Sequence, residues 1–132
     1  MDVLPRSWRR QRGDQAEQAA SQWLQQQGLQ LIERNWRCRL GEIDLIMRDD
    51  QILVFVEVRY RGQRSHGGAA ASVDTHKQRR LIAAARYYLG RYPYQAQGPC
   101  RFDVLAMEPG RGRNDDDGEP DVQWIQNAFY GE

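Results

Sequence analysis

Two β-rich runs joined by a short polar turn constrain the fold of this chain more than any other feature. The runs cover residues 42–47 and 52–60, and the turn between them reads Arg-Asp-Asp-Gln. Apolar β-formers on both sides of such a turn are typical of a β-hairpin. The second run, ILVFVEVRY, is apolar at consecutive positions until Glu57, as expected for a strand that is buried on both faces. The hairpin is therefore expected to lie inside a sheet.

The segments around the hairpin predict further helices and strands. Apolar residues recur at helical spacing over about 14–27 and again over about 74–90. Further β-rich runs predict strands at residues 29–37, 100–107 and 122–125. The resulting order, α-β-β-β-α-β-β, is typical of an α/β fold with a mixed β-sheet flanked by helices.

Length and composition indicate one small cytoplasmic domain over residues 1–132. Hydrophobic residues make up 40% of the chain and charged residues 28%, as in ordinary globular domains. The sequence has neither an apolar run of roughly 18 residues nor a signal-peptide pattern, so we expect no membrane partner. Residues 1–12 are expected to form a basic arm, and residues 110–120 a flexible acidic loop.

The hairpin is expected to bring carboxylates together. A turn at residues 49–50 would place Asp44 opposite Phe55. Residues opposite each other on neighbouring strands lie on the same face of the sheet. Glu57 would then lie diagonally next to Asp44, and Glu42 would lie directly opposite Glu57. We expect the first helix to cover this face.

Carboxylates in an apolar sheet need a nearby cation. One solution is an ion pair, in which Arg59 or Arg61 neutralises Glu57. The other solution is a hard divalent cation, Mg²⁺ or Mn²⁺, which prefers oxygen ligands. The residues by themselves leave both solutions open.

Charge is distributed unevenly along the chain. Residues 40–58 carry five acidic groups and one basic group, whereas residues 59–91 carry eight basic groups and one acidic group. This pattern suits a metal site beside a phosphate-binding surface, although charge alone favours ordinary solvated faces. The predicted nucleic-acid contacts are Arg61, Arg64, Lys77, Gln78, Arg79 and Arg80.

Several segments taken together resemble a known family. GEIDLI (41–46) followed by VFVEVRYR (54–61) resembles the core of PD-(D/E)XK nucleases, in which an Asp ends one strand and Glu-x-Lys follows on the next. The order of these segments and five others resembles the bacterial YraN family, whose members resemble archaeal Holliday junction resolvases. The other five are GDQAEQAASQWL (13–24), ERNWR (33–37), VDTHKQRRL (73–81), RFDVLAM (101–107) and NAF (127–129).

The resemblance implies a fold, an activity and a set of site residues. The fold would be restriction-endonuclease-like, and the activity would be metal-dependent hydrolysis of phosphodiester bonds in branched or structured DNA, with a homodimer as a possible assembly. Asp44 and Glu57 would bind Mg²⁺ or Mn²⁺, with the carbonyl of Val58 as a third ligand. Arg59 stands where the family has its catalytic Lys, and Glu17 matches an additional acidic residue of resolvase-like members.

The arginine at position 59 leaves two other interpretations open. Arginine cannot accept a proton as lysine can, although a metal can generate hydroxide without it. A non-catalytic nucleic-acid-binding module with a degenerate nuclease fold is therefore the alternative to the enzyme. A third interpretation, a protein-interaction adaptor, relies on the acidic loop at residues 114–121. A metal ion bound by Asp44 and Glu57 would favour the enzyme.

Overall fold

A single mixed sheet of five strands forms the centre of the structure, which is a computed structural model that describes residues 6–60, 73–108 and 121–130. Two α-helices pack on the sheet, α1 (Arg6–Gln26) and α2 (Thr75–Arg91). The strands are β1 (Gln30–Cys38), β2 (Gly41–Asp49), β3 (Ile52–Tyr60), β4 (Cys100–Glu108) and β5 (Asp121–Phe129). The predicted α/β class and the α-β-β-β-α-β-β order are confirmed.

Two element boundaries differ clearly from the sequence prediction. Helix α1 begins at Arg6, so residues 6–12 belong to a helix and not to an irregular arm. Arg and Gln are good helix formers, which explains how the helix extends through this basic segment. Strand β5 continues to Phe129, beyond the predicted end at residue 125 and past an irregularity in its pairing with β4. Such an irregularity interrupts the alternation of side chains by which a strand is recognised in sequence. The predicted loop at 110–120 lies outside the described residues.

Helix α2 sets the topology of the sheet. Strands β1 to β5 lie side by side in chain order, and neighbouring strands are antiparallel except for β3 and β4, which are parallel. Parallel neighbours need a crossover connection, and α2 lies within it. Neither helix is long and apolar enough to cross a lipid bilayer.

Each face of the sheet has its own hydrophobic core. On one face, α2 contributes Leu81 and Tyr88, which belong to the same buried cluster as Phe55 of β3. On the other face, Leu24 of α1 clusters with Val56, the next residue of β3. Strand β3 is therefore buried on both faces, as its apolar sequence predicts.

The hairpin register differs from the prediction by two residues. Asp50 and Gln51 form the turn, with Asp50 at φ 55°, and Ile46 pairs with Phe55 in the place predicted for Asp44. Adjacent aspartates are equally suited to a turn, so the sequence could not select between these registers. A shift of two residues keeps the paired side chains, from Leu45 to Asp49, on their predicted faces, because side chains alternate with a period of two.

The alternation of β2 side chains between the two faces of the sheet is interrupted at Asp44. Leu45 lies in the core beneath α1, yet Ile43, two residues earlier, packs with Trp36 in the core beneath α2. The continuous pairing of β2 with β3 also begins only at Leu45, opposite Val56. The chain is therefore irregular at Asp44, and this irregularity directs its side chain toward β3.

Candidate active site

Asp44 is a buried carboxylate at the place where β2 and β3 separate. Its side chain is almost fully enclosed, and Oδ2 accepts a hydrogen bond of 2.9 Å from the backbone N–H of Val58. Burial and the negative charge of Glu57 raise the pKa of Asp44 well above its ordinary value, and Glu17 adds to the increase. The hydrogen bond from Val58 acts in the opposite direction.

Asp44 and Glu57 are neighbouring buried carboxyl groups. Glu57 is among the causes of the raised pKa of Asp44, both through its negative charge and through a hydrogen bond between the two side chains. Glu57 is 4% exposed. Two buried carboxyl groups on neighbouring strands thus interact directly.

Two cations contact Glu57 from the α2 side of the sheet. Lys77 Nζ lies 2.8 Å from Glu57 Oε2, and an Arg59 guanidinium nitrogen lies 3.5 Å from the same oxygen. The N-cap Asp74 fixes the first turn of α2, because its side chain accepts a hydrogen bond of 2.8 Å from the N–H of Lys77. The prediction that α1 covers Glu57 is therefore wrong, since α2 supplies its nearest cation.

Glu17 of α1 interacts electrostatically with Asp44. It is half-buried, its Oε1 atom is enclosed, and its charge contributes to the raised pKa of Asp44. Glu17 therefore lies on the side of α1 that faces the sheet. Asp44 thus lies between an acidic group from α1 and another from β3.

Glu42 does not belong to this cluster in the predicted way. It pairs with Arg37 across β1 and β2, and the two side chains form an exposed ion pair of 3.1 Å. The expected position opposite Glu57 is therefore wrong, as the register shift requires. Glu42 nevertheless lines a cavity of about 120 Å³ next to Glu57, together with His76, Lys77, Arg80 and Leu81.

The donor set suits a hard divalent cation. No group of three or more His, Cys, Asp and Glu side chains in the described ranges is arranged as a metal site. Mg²⁺ does not require one, because it commonly binds through one or two carboxylates and keeps several waters. Burial raises the pKa of Asp44 most, and the repulsion from Glu57 that adds to it is what a cation between the two groups would relieve. The N–H of Val58 points toward Asp44, so its carbonyl projects to the same side of β3.

The predicted nucleic-acid contacts divide into two sets. Lys77 and Arg80 line the cavity beside Glu57, whereas Gln78 and Arg79 line a separate groove on α2. Arg61 and Arg64 lie outside the described residues. The first turns of α2 therefore present cations in two directions.

Comparison with known sequences identifies the family. The model of a family described as "Uncharacterised protein family UPF0102" matches residues 16–107, which include Glu17, Asp44 and Glu57. The chain belongs to this family. The match confirms the resemblance to the YraN family.

Relatives match over nearly their whole length. A UPF0102 protein of Alcanivorax borkumensis is 57% identical over 91% of this chain and 92% of its own. One from Pseudomonas syringae pv. tomato is 50% identical over 96% and 98%, and one from Aeromonas hydrophila is 54% identical over 89% and 84%. The fold described above thus corresponds to almost the full length of these UPF0102 proteins.

A third buried carboxylate, Asp103 in β4, was missed by the sequence analysis. Asp103 is fully buried and accepts hydrogen bonds from the Arg101 side chain, Trp124 Nε1 and the backbone N–H of Asn127. Arg101 also forms an ion pair of 3.0 Å with Asp49. The sequence does contain a signal for Asp103, because burial of an Asp within an apolar strand costs free energy, as it does for Glu57. Its donors are all supplied by the fold, which indicates a structural role.

Proposed function

We propose that this UPF0102 protein is a metal-dependent endonuclease that acts in the cytoplasm on phosphodiester bonds of branched or otherwise structured DNA. The observation that carries the proposal is the buried carboxylate pair Asp44–Glu57, which stands beside the cations Lys77 and Arg59. Carboxylates that bind a metal and cations that bind phosphate are the two components of metal-assisted phosphodiester hydrolysis. The resemblance to PD-(D/E)XK nucleases supports the same assignment.

Asp44 and Glu57, with the carbonyl of Val58, would hold Mg²⁺ or Mn²⁺. When bound, the ion supplies Lewis-acid catalysis and lowers the pKa of the attacking water. The high pKa of Asp44 means that metal binding would release a proton where this group is still protonated. Glu17 would add negative charge behind Asp44 and would thereby strengthen the attraction for a cation.

Lys77 and Arg59 would stabilise charge on the phosphoryl group. Both contact Glu57 in the structure, so both are within a side-chain movement of a phosphate bound next to it. Arg59 can bind phosphate through two parallel hydrogen bonds but cannot take up a proton. Lys77 is the only lysine of the chain, and its amine can both balance charge and order water. Lys77 is therefore the group best suited to the role of the lysine that position 59 lacks.

A non-catalytic nucleic-acid-binding module is the second candidate function. The observation that favours it is the ion-paired state of Glu57, whose charge is balanced by Lys77 and Arg59 within the protein. An internally compensated carboxylate has less need of a metal ion. In that case the same cations would bind DNA without cleaving it.

Single-turnover cleavage of a labelled DNA junction in Mg²⁺ or Mn²⁺ distinguishes the two functions. We expect cleavage by the parent protein and none by Asp44→Asn. Arg59→Ala should lower turnover more than binding, because charge in the transition state is lost, and Arg59→Lys should retain or increase turnover. Cleavage that survives Asp44→Asn would contradict the mechanism. An inactive parent that gains activity with Arg59→Lys would instead support the binding module.

A further inference from the structure

A groove lies between α2 and the end of β5, apart from the carboxylate pair. Its volume is about 410 Å³, within the roughly 300–1,000 Å³ typical of ligand clefts. In the described part of the chain it is lined by Thr75, Gln78, Arg79, Ile82, Arg86 and Tyr130. Two of these side chains are cationic and none is acidic, so the groove suits an anionic ligand.

Two arginines lie along the groove. Arg79 and Arg86 are seven residues apart on α2, so they lie on the same side of the helix, about 10 Å apart along its axis. Both side chains are exposed. Guanidinium groups bind phosphate through paired hydrogen bonds, and two of them at this spacing can contact a phosphate backbone at more than one point.

An exposed aromatic ring accompanies these arginines. Tyr130 is 76% exposed, although a tyrosine normally buries most of its ring. Aromatic rings beside cationic grooves serve as stacking platforms for unpaired bases. Ile82, which is half-buried, adds an apolar surface to the same groove. An acidic peptide would use the arginines but would gain little from the exposed ring.

Gln78 supplies a directional polar group. Its Nε2 donates a hydrogen bond of 3.0 Å to the carbonyl of Val73, which fixes the orientation of the amide. The amide oxygen is then the atom that can accept a hydrogen bond from a ligand in the groove. Exocyclic amino groups of bases are donors of the matching kind.

The groove and the carboxylate pair share the N-terminal half of α2. Lys77 and Arg80 face the cavity at Glu57, and Gln78 and Arg79, which lie between them in sequence, face the groove. A nucleic-acid strand that crosses this part of α2 would contact both places. The helix thus connects the proposed cleavage site to a second set of nucleic-acid contacts.

We propose that this groove binds an unpaired nucleotide of the DNA substrate, with the base stacked on Tyr130 and the phosphates contacted by Arg79 and Arg86. The inference rests on the proposed function, because it selects a class of DNA for the same site. That class is DNA in which unpaired nucleotides adjoin the bond to be cleaved.

Equilibrium binding of the full chain, measured by fluorescence anisotropy in EDTA, tests the inference. Two labelled DNAs are compared, a blunt duplex and the same duplex with a short single-stranded flap. Tyr130→Ala should weaken flap binding about tenfold, within the range expected for the loss of one stacked base, and should leave duplex binding unchanged. Tyr130→Phe should retain the parent affinity, and Arg86→Ala should weaken flap binding.

Two exposed positions elsewhere provide matched controls. Tyr94→Ala removes a ring that is 65% exposed on the 3-10 helix after α2, and Arg91→Ala removes an exposed arginine from the last turn of α2. Both should bind the flap DNA as the parent does. Thermal melts of every variant verify that the fold is retained.

The outcomes separate this inference from the proposed nuclease function. If Tyr130→Ala and Arg86→Ala bind flap DNA like the parent, the groove assignment is wrong, whether or not the parent cleaves DNA. Equal losses on duplex and flap would also overturn it, because stacking on an unpaired base requires a preference. Stronger, Tyr130-dependent binding of a poly-glutamate peptide would indicate an acidic protein partner instead. A parent that needs Tyr130 for flap binding but cleaves nothing would support the groove and refute the nuclease.

Discussion

Replacement of Lys77 by Met tests how the charge of Glu57 is balanced. Met keeps most of the length of the side chain and removes the ammonium that lies 2.8 Å from Glu57 Oε2. A hydrogen bond to a charged group contributes roughly 1.5–3 kcal/mol, and an exposed ion pair roughly 0–1 kcal/mol. The Glu57 side chain is 5% exposed but that of Lys77 is 41% exposed, and Arg59 remains as a second cation. We therefore expect a loss of about 1–2 kcal/mol in the free energy of unfolding.

For a domain of this size, such a loss lowers the melting temperature by about 4–8 °C. The measurement is thermal unfolding without divalent metal, with Arg91→Met as a control that removes an exposed arginine from the last turn of the same helix. The melts are then repeated in Mg²⁺ or Mn²⁺. Under the proposed function Lys77 would compete with a metal for Glu57, so the metal-induced increase in melting temperature should be larger in Lys77→Met than in the parent. Glu57→Gln should abolish that difference.

Two results would refute this account. An unchanged melting temperature in Lys77→Met would mean that the ion pair contributes nothing to stability. Equal metal-induced shifts in the parent, in Lys77→Met and in Glu57→Gln would mean that Glu57 does not bind the metal. The second result would also remove the main support for metal-dependent cleavage.

Three further predictions follow from the buried charges and the basic surface. The folded state holds the proton of Asp44 more tightly than the unfolded chain, so this group stabilises the fold at acidic pH and loses that contribution as pH rises through the folded-state pKa. In metal-free urea unfolding at neutral pH, the free energy of unfolding of Asp44→Asn should thus exceed that of the parent by about 0.5–2 kcal/mol. This difference should disappear at acidic pH, and a difference that is independent of pH would contradict the prediction. Asp103→Leu should cost about 3–5 kcal/mol in the same assay, since it removes the acceptor shared by the Arg101 side chain, Trp124 Nε1 and the backbone N–H of Asn127 and leaves Arg101 with Asp49 alone. A loss below about 1 kcal/mol would show that the network is dispensable. DNA affinity should fall steeply between about 50 and 200 mM salt, and a flat response would exclude the basic surface as the binding face.

The elements of the fold could be predicted because their signals are local. The apolar run of β3, the helical spacing in α2 and the N-cap Asp74 depend on residues that are close in sequence. Side-chain parity likewise survived the error in the register of the hairpin, because a shift of two residues does not exchange the faces of a strand. The closeness of Asp44 and Glu57 could therefore be inferred although their pairing was not.

The start of α1 and the extent of β5 were harder to predict for a physical reason. The first residues of α1 are arginines and glutamines without an apolar stripe, so periodicity does not reveal the helix there. The pairing irregularity in β5, near Asn127 at φ 54°, interrupts the alternation of its side chains. In both places the periodicity of the side chains is weak, although the backbone keeps the conformation of the helix or strand.

The sequence by itself determined which residues are the candidates for the proposed chemistry. A carboxylate within an apolar strand is costly enough to identify Glu57, and a resemblance over most of the chain adds Asp44 and Glu17. The tertiary structure decided which charged groups interact with these carboxylates. It places Lys77 of α2 on Glu57, Glu17 of α1 near Asp44, and Tyr130 beside α2, and each of these contacts joins segments that are far apart in the chain. Local patterns carry no information on such distances, because the packing of helices on the two faces of the sheet is set by the whole core.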